Sequence, residues 1–571
     1  MTPQRKIHLL RLVVLFILAV ALIKYFRRPR PPQVIQAVKA HKSEEFFWGA
    51  AKASSENENR DLPPEPPKEE KVEVSVKTQQ NGGQLPRKDF SNVQMKLVHL
   101  DLKGAAPKLS YFEQIFPLLS KLGANGLLIE YEDMFPFTGE LEVLRSPHAY
   151  SESDIKNILH LAEINKLEVV PLVQTFGHME FVLKHDKFRG LREMEQYPNS
   201  LNPHNADSLP LVKMILSQVL DQHPTSSWIH IGADEVYHLG EGQDSKAWLN
   251  SNKGDLGKMF LTYIQEVVAF LHSKYPDKQQ LMWDDMLRKL SVASIQGSGI
   301  SQHVSPVLWI YSPHLNIEQT ETLISKYQES GFKSIWFASA FKGASTADQM
   351  WTPMSLHVKN HQQWKTVIDS MKSKFTRIRY AGIALTGWQR YDHYSVLCEL
   401  LPVSIPSLAV CLEVLQHGDF NEKVRKETAS LLGFKAIDIE TNTCDGNGAF
   451  PGAEIYSLVQ KIHKDLKQKV QELLEGDEEI RGWFSRYHRK HRFGNPHKME
   501  KFSSKLLKAH EEWESLTQSL RTQLESIYFP DTVEEWMEEN VNPHLDLLRE
   551  VVRDFQEILK LNAQPKAQSK K

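Results

Sequence analysis

The segment HIGADEVYHLG, residues 230–240, sets Asp234 beside Glu235 directly after an apolar run. Adjacent carboxylates repel each other, and taking either out of water is costly. A fold gains nothing by placing them where a strand leaves its core, so the pair is expected to act on something outside the fold, by acid/base chemistry or by stabilising developing positive charge. Similar groups recur along the chain. His99, Asp101 and Lys103 form one set; Glu130, Glu132 and Asp133 a second; Gln174 and His178 a third. Trp283, Asp284 and Asp285 follow, then Trp309 with Tyr311, and finally Trp388, Arg390 and Tyr391. Acids interleaved with indoles suit a sugar, whose apolar faces stack on aromatic rings while its hydroxyls bond to carboxylates. A tryptophan within a strand is more often core than site, and Trp336, with strand residues on both sides, is expected to be core.

Each set ends a strand-like run. The runs span 96–102, 126–132, 167–174, 228–235, 280–285, 306–311, 333–340 and 382–388. Amphipathic stretches of helical period lie between most of them, for example YFEQIFPLLSKLG and KMFLTYIQEVVAFLHSKY. Near-continuous apolar strands alternating with helices imply a parallel sheet covered on its faces, and eight such units imply a (β/α)8 TIM barrel, an α/β fold. Such barrels carry their active groups at the C-terminal ends of the strands, which gives Asp234 and Glu235 a location.

The chain has 571 residues, 41% of them apolar and 25% charged, with a net charge of −2, so nothing in its charge favours nucleic acid. Its three cysteines, Cys398, Cys411 and Cys444, show no metal-type spacing and read as buried thiols. Four segments are expected. Residues 1–26 contain the run IHLLRLVVLFILAVALIKYF, long enough to span a bilayer and followed by Arg27, Arg28 and Arg30. A membrane anchor is the expectation, with a signal peptide cleaved near Ala19 and Ala21 as the alternative. Residues 27–92, rich in Pro, Glu, Lys and Asn, read as a disordered stem. Residues 93–420 hold the barrel, and 421–571 read as a C-terminal helical region of Glu/Lys-rich segments without a strand-like run beyond 454.

HIGADEVYHLG resembles the H-I-G-x-D-E signature of glycoside hydrolase family 20, the β-N-acetylhexosaminidases. TFGHME, residues 175–180, is similar to that family's P-G-H segment. The stretch 94–420, with LVHLDLKGA, LIEYEDMFPF and LTGWQRYDHYSVLCELLP, and the C-terminal FPDTVEEWMEENV look like the hexosaminidase D branch. The resemblance implies a retaining exo-glycosidase in which the substrate's own 2-acetamido oxygen is the nucleophile. That chemistry accounts for the adjacency, since ordinary retaining glycosidases need two carboxylates on opposite faces of the sugar. It implies Glu235 as general acid and base and Asp234 as partner of the acetamide N–H, with ionised Asp234 expected to keep Glu235 protonated. It further implies that His178 pairs with Asp133 or Glu132, and that Trp283, Trp309 and Trp388 wall the acetamide site beside Asp284. Tyr311, or secondly Tyr391, is implied as donor to the acetamide oxygen. The family's first-strand arginine is absent from HLDLKG, so Asp101 or Lys103 is expected to take its sugar-hydroxyl contact, leaving the GlcNAc or GalNAc preference open. No cofactor or metal is implied.

Two other functions fit parts of the pattern. His99, Asp101, His178, His230 and Asp284 resemble the ligand set of a metal-dependent amidohydrolase, although HLD stands where H-x-H belongs on a first strand. A non-catalytic carbohydrate-binding barrel is the second. The chain is expected to reach a membrane through residues 7–26; because hexosaminidase D-like chains often lack such a segment, a nucleocytoplasmic form starting near Met95 is the alternative.

Overall fold

The computed structural model describes residues 94–563. The expected anchor and stem therefore lie outside the described residues. Among those described, no helix is long and apolar enough to cross a membrane.

Eight parallel strands close into a barrel: β1 (Met95–Asp101), β2 (Gly126–Glu130), β3 (Glu168–Leu172), β6 (Trp228–His230), β7 (Gln279–Trp283), β8 (Val304–Trp309), β9 (Ser334–Lys342) and β10 (Arg379–Gly387). Each barrel strand neighbours the next in chain order, and β1 returns to β10 with Met95 opposite Gly382. A two-stranded hairpin, β4 (Arg192–Met194) with β5 (Tyr197–Leu201), is inserted between β3 and β6. The barrel is filled by side chains from alternate positions, including Trp228, Trp336, Leu128, Val170, Val307, Ala338 and Ala384. Small alanines leave room for Trp228 and Trp336, which meet edge to face at 5.7 Å, so Trp336 is the expected core residue.

The outer helices follow from sequence spacing. In Leu109–Lys121, the buried Phe112, Ile115, Phe116 and Leu119 recur at three- and four-residue steps and face the sheet. Glu152–Ile164 begins with a capping box: the Asp154 N–H donates to Ser151 Oγ at 3.1 Å, and the Ser151 N–H donates to Asp154 Oδ2 at 2.9 Å.

The fourth barrel strand departs from expectation. It stops at His230 rather than continuing to 235, because Gly232, Ala233 and Glu235 hold φ values of 61°, 65° and 42°, which no strand accommodates. The catalytic candidates sit on a fixed turn beyond the strand. Partners just beyond the ends of the adjoining strands hold that turn: Ala233 N–H donates to Gln174 Oε1 at 3.2 Å and Glu235 N–H to Asp285 Oδ2 at 3.0 Å.

Beyond the barrel the chain is mainly helical, with one correction. A short antiparallel ribbon, β11 (Ala436–Asp438) with β12 (Thr443–Asp445), precedes the long helices. Helix Leu401–His417 is buried around nearly its whole circumference between the barrel and this region. The 32-residue helix Pro496–Ile527 packs on Asn542–Lys560, and helix Pro530–Asn540 lies between them in sequence. Chain contact with the barrel is direct, since the Lys108 N–H donates to Ile527 O at 2.6 Å. Cys398, Cys411 and Cys444 are all buried and free.

Candidate active site

The C-terminal ends of the strands open into a cavity of about 180 Å³, whose wall includes His178, Asp234, Glu235, Trp283, Trp309, Tyr311, Trp388 and Tyr391. Aromatic planes frame it. Trp283 and Trp388 lie 6.0 Å apart at 52°, and Trp309 stacks on Tyr311 at 5.2 Å. The Trp388 indole N–H donates to the Tyr311 hydroxyl at 3.2 Å, which directs the hydroxyl's own proton elsewhere. Tyr391 stands at the rim, half-exposed.

His178 links the two carboxylates. Its Nε2 lies 3.1 Å from Glu235 Oε2 and 3.5 Å from Asp234 Oδ2. Burial opposes charge on this imidazole, but Asp234, the hydrogen bond to Glu235 and nearby Glu180 outweigh it and raise its pKa to about 10. Burial raises Asp234 to about 7; the His178 charge works against this, and Asp285, Glu235 and Glu130 add to it. Burial also pushes Glu235 upward, yet the bond and charge of His178, helped by Tyr237 and Lys289, hold it below the usual carboxylate range. The expected order, Asp234 ionised and Glu235 protonated, is therefore reversed in the unliganded site. Counting the two acids alone misses the cation that bonds Glu235 directly.

Unpaired buried polar atoms are rare, so those at the cavity are informative. Among the cavity's lining residues, Asp234 Oδ1 and the indole N–H groups of Trp283 and Trp309 are buried without a hydrogen-bond partner. They supply an acceptor and donors that a ligand of matching polarity would satisfy.

Four expected site residues lie behind the cavity wall. Glu132 and Asp133 do not pair with His178: Glu132 is bonded to His393 Nε2, while Asp133 accepts from the Gly104 N–H at 3.0 Å and from Lys184 Nζ at 3.4 Å. The loop after β10 brings His393 to these acids, whereas His178, with φ of 51°, is turned toward Asp234 and Glu235. Asp284 is fully buried, paired with Arg288 and bonded to Tyr327 Oη at 2.6 Å. It meets the wall through Arg288, which stacks 5.2 Å over the Trp309 ring. Asp101 accepts from Lys103 Nζ at 3.1 Å and from the Gln389 N–H at 2.7 Å, and Lys103 rather than Asp101 reaches the cavity.

Glu130, Gln174, Gly343, Ala344 and Arg390 complete the wall. Of these, Gly343 and Ala344 escape sequence reading, since nothing in FKGAS marks a site; at φ +67, a Cβ on Gly343 would lie 2.0 Å from the Trp388 carbonyl. Tyr237, which helps hold the Glu235 pKa down, lies within HIGADEVYHLG, but sequence shows only its distance from the carboxylates along the chain.

Among the described residues, His178, Asp234 and Glu235 are the grouping close enough to ligate a metal ion. His99 is instead bonded to Glu130 at 3.2 Å, and His230 Nδ1 accepts from the Gly232 N–H at 3.0 Å, so the amidohydrolase ligand set is not assembled.

Residues 113–391 match the glycosyl hydrolase family 20 catalytic domain. Human hexosaminidase D is 48% identical over 465 residues, covering 81% of this chain and 95% of that protein. The chain belongs to glycosyl hydrolase family 20. Bovine hexosaminidase D is 53% identical over 344 residues, covering 60% of this chain and 98% of that protein. The solved Flavobacterium johnsoniae chitobiase of family 20 is 14% identical, with a TM-score of 0.46, and covers 83% of this chain and 73% of its own. As a family 20 glycoside hydrolase, the chain is an enzyme whose substrates are hexosaminides.

Proposed function

We propose that the protein is a retaining exo-β-N-acetylhexosaminidase acting through the substrate's 2-acetamido group. The observation that carries this reading is the buried, unpartnered Asp234 Oδ1 one residue from Glu235, at the wall of an indole-lined cavity. An amide N–H is the donor such an oxygen needs, and a terminal N-acetylhexosamine brings one to the same place as its scissile bond.

The steps follow from the residues. With a sugar bound, the acetamido oxygen attacks C1 as the C1–O bond to the leaving group breaks and the departing oxygen takes a proton from Glu235. A cyclic oxazolinium forms, its N–H charge-stabilised by Asp234. Glu235, now a carboxylate, removes a proton from water as that water attacks C1, and the ring opens with the β configuration restored. The unliganded proton distribution feeds this sequence. Glu235 keeps 35% of its side-chain surface exposed, and covering it with sugar disfavours its charge. The amide N–H meanwhile favours ionised Asp234, so binding transfers the pair's proton toward Glu235. Trp283, Trp309 and Trp388 are read as the acetamide walls, Tyr311 as donor to the acetamide oxygen, and Lys103 as the cation for a ring hydroxyl.

Turnover of aryl 2-acetamido-2-deoxy-β-glucosides and β-galactosides tests the reading, and their kcat/KM ratio sets the C4 preference. No turnover of either would leave the binding-barrel alternative. Loss of activity on chelation would instead favour metal-dependent chemistry.

The N-terminal run 7–26 is read as a membrane anchor, supported by its length, its apolar character and the arginines after it.

A further inference from the structure

The segment FPDTVEEWMEENV has no part in the chemistry above, yet one of its acids reaches the cavity wall. Glu535, on helix Pro530–Asn540, grips Arg390 with both oxygens: Nη1 to Oε1 at 2.8 Å and Nη2 to Oε2 at 2.8 Å. It also accepts from the Leu397 N–H at 3.2 Å, tying down the loop that follows β10.

Arg390 is a brace more than a ligand. A guanidinium has five N–H donors. Besides the two on Glu535, its Nε donates to the Lys103 carbonyl at 3.1 Å and Nη1 to Ser395 O at 2.7 Å, leaving one donor on Nη2. Lys103 has more to offer. Its ammonium uses one of three donors, on Asp101, and lies 5.5 Å from the Trp388 ring centre at the cavity wall. Its backbone is held on both sides by side chains, the N–H by Asp101 Oδ1 at 3.1 Å and the carbonyl by Arg390. A lysine stem is long and flexible; the clamped backbone fixes where the stem begins and the Asp101 bond holds its ammonium, which together lower the entropy that hydroxyl recognition would otherwise cost.

We propose that Glu535 is a positioning residue for substrate binding: through Arg390 it fixes Lys103, so that the ammonium meets one ring hydroxyl of the terminal sugar away from the anomeric centre. The C-terminal helical region thus takes part in substrate recognition by the barrel. The inference rests on the hexosaminidase reading and adds the route by which a first strand without arginine still presents a cation.

The test is kinetic, with full-length wild type, Glu535→Gln and Arg390→Lys acting on an aryl N-acetyl-β-hexosaminide and its 3-, 4- and 6-deoxy analogues. Both variants should raise KM on the parent sugar about tenfold, with kcat altered less than about twofold, as for loss of one charge-assisted bond. One deoxy analogue, already poor for wild type, should lose less than about twofold further, because its missing hydroxyl is the contact that Glu535 maintains. Equal losses on all four sugars would make Glu535 a fold contact only and overturn the proposal, as would unchanged kinetics. Should Glu535→Gln fail to fold, Arg390→Lys, which keeps the charge but cannot grip both oxygens, decides alone. A wild type that cleaves no hexosaminide would sink the functional reading itself, a result distinct from uniform losses in the variants.

Discussion

In the proposed mechanism Glu235 carries the proton that a poor leaving group needs, so Glu235→Gln should cost least on an aryl glycoside with an acidic phenol and orders of magnitude more, about 10²–10⁴-fold, on an alkyl or sugar leaving group. Equal losses across leaving groups would contradict its role as acid. Asp234, raised to about 7, makes a second prediction. The proposed mechanism needs one proton on the Asp234–Glu235 pair of the free enzyme, so kcat/KM should fall as pH rises through about 7, and Asp234→Asn should erase that limb along with most activity. A wild-type profile flat from pH about 6 to about 9 would be inconsistent with it. Stability reports His178. Its folded pKa, about 10, lies above the ordinary 6.5, so its contribution is complete below 6.5 and is lost as pH rises through 10. The lead in melting temperature of wild type over His178→Gln should therefore be largest in mild acid and shrink toward pH about 10. A lead that grows with pH would reverse the sign.

The turn after β6 is the element on which the site depends, and it tolerates little. Gly177 approaches it so closely that a Cβ there would stand 2.1 Å from the Asp234 carbonyl oxygen. Gly177→Ala should shift the Asp234–Glu235 turn, destabilise the protein by about 1–3 kcal/mol and lower kcat/KM at least about tenfold, measured by denaturant unfolding and by aryl glycoside kinetics. The same turn marks the limit of sequence reading. All eight barrel strands are legible because both of their faces are buried, which writes them as near-continuous apolar runs such as WIHI and GLLIE. The end of the fourth is not legible, since the positive φ of Ala233 and Glu235 is imposed by Gln174 and Asp285, far away in the chain. Spacing likewise points to His178, Trp283, Trp309, Tyr311 and Trp388, which the barrel gathers at one mouth. It cannot assign partners, because His393 reaches Glu132 across 261 residues and Glu535 reaches Arg390 across 145.

At the scale of the whole molecule, the described barrel and C-terminal helical region pack as one compact unit. Deleting residues 1–92 should leave a soluble enzyme with kcat/KM within about twofold of full length, whereas the full chain should require detergent for extraction. Full-length protein released without detergent, its N-terminus intact, would rule out the anchor. The central claim concerns the reaction, and the stereochemistry of the first-formed sugar tests it most directly. Proton NMR of an aryl N-acetyl-β-hexosaminide during the first minutes of hydrolysis should show the β-anomer of the free sugar appearing before mutarotation supplies the α form. First appearance of the α-anomer would mean a single inverting displacement by water and would remove the acetamido group, and with it the Asp234–Glu235 pairing, from the account.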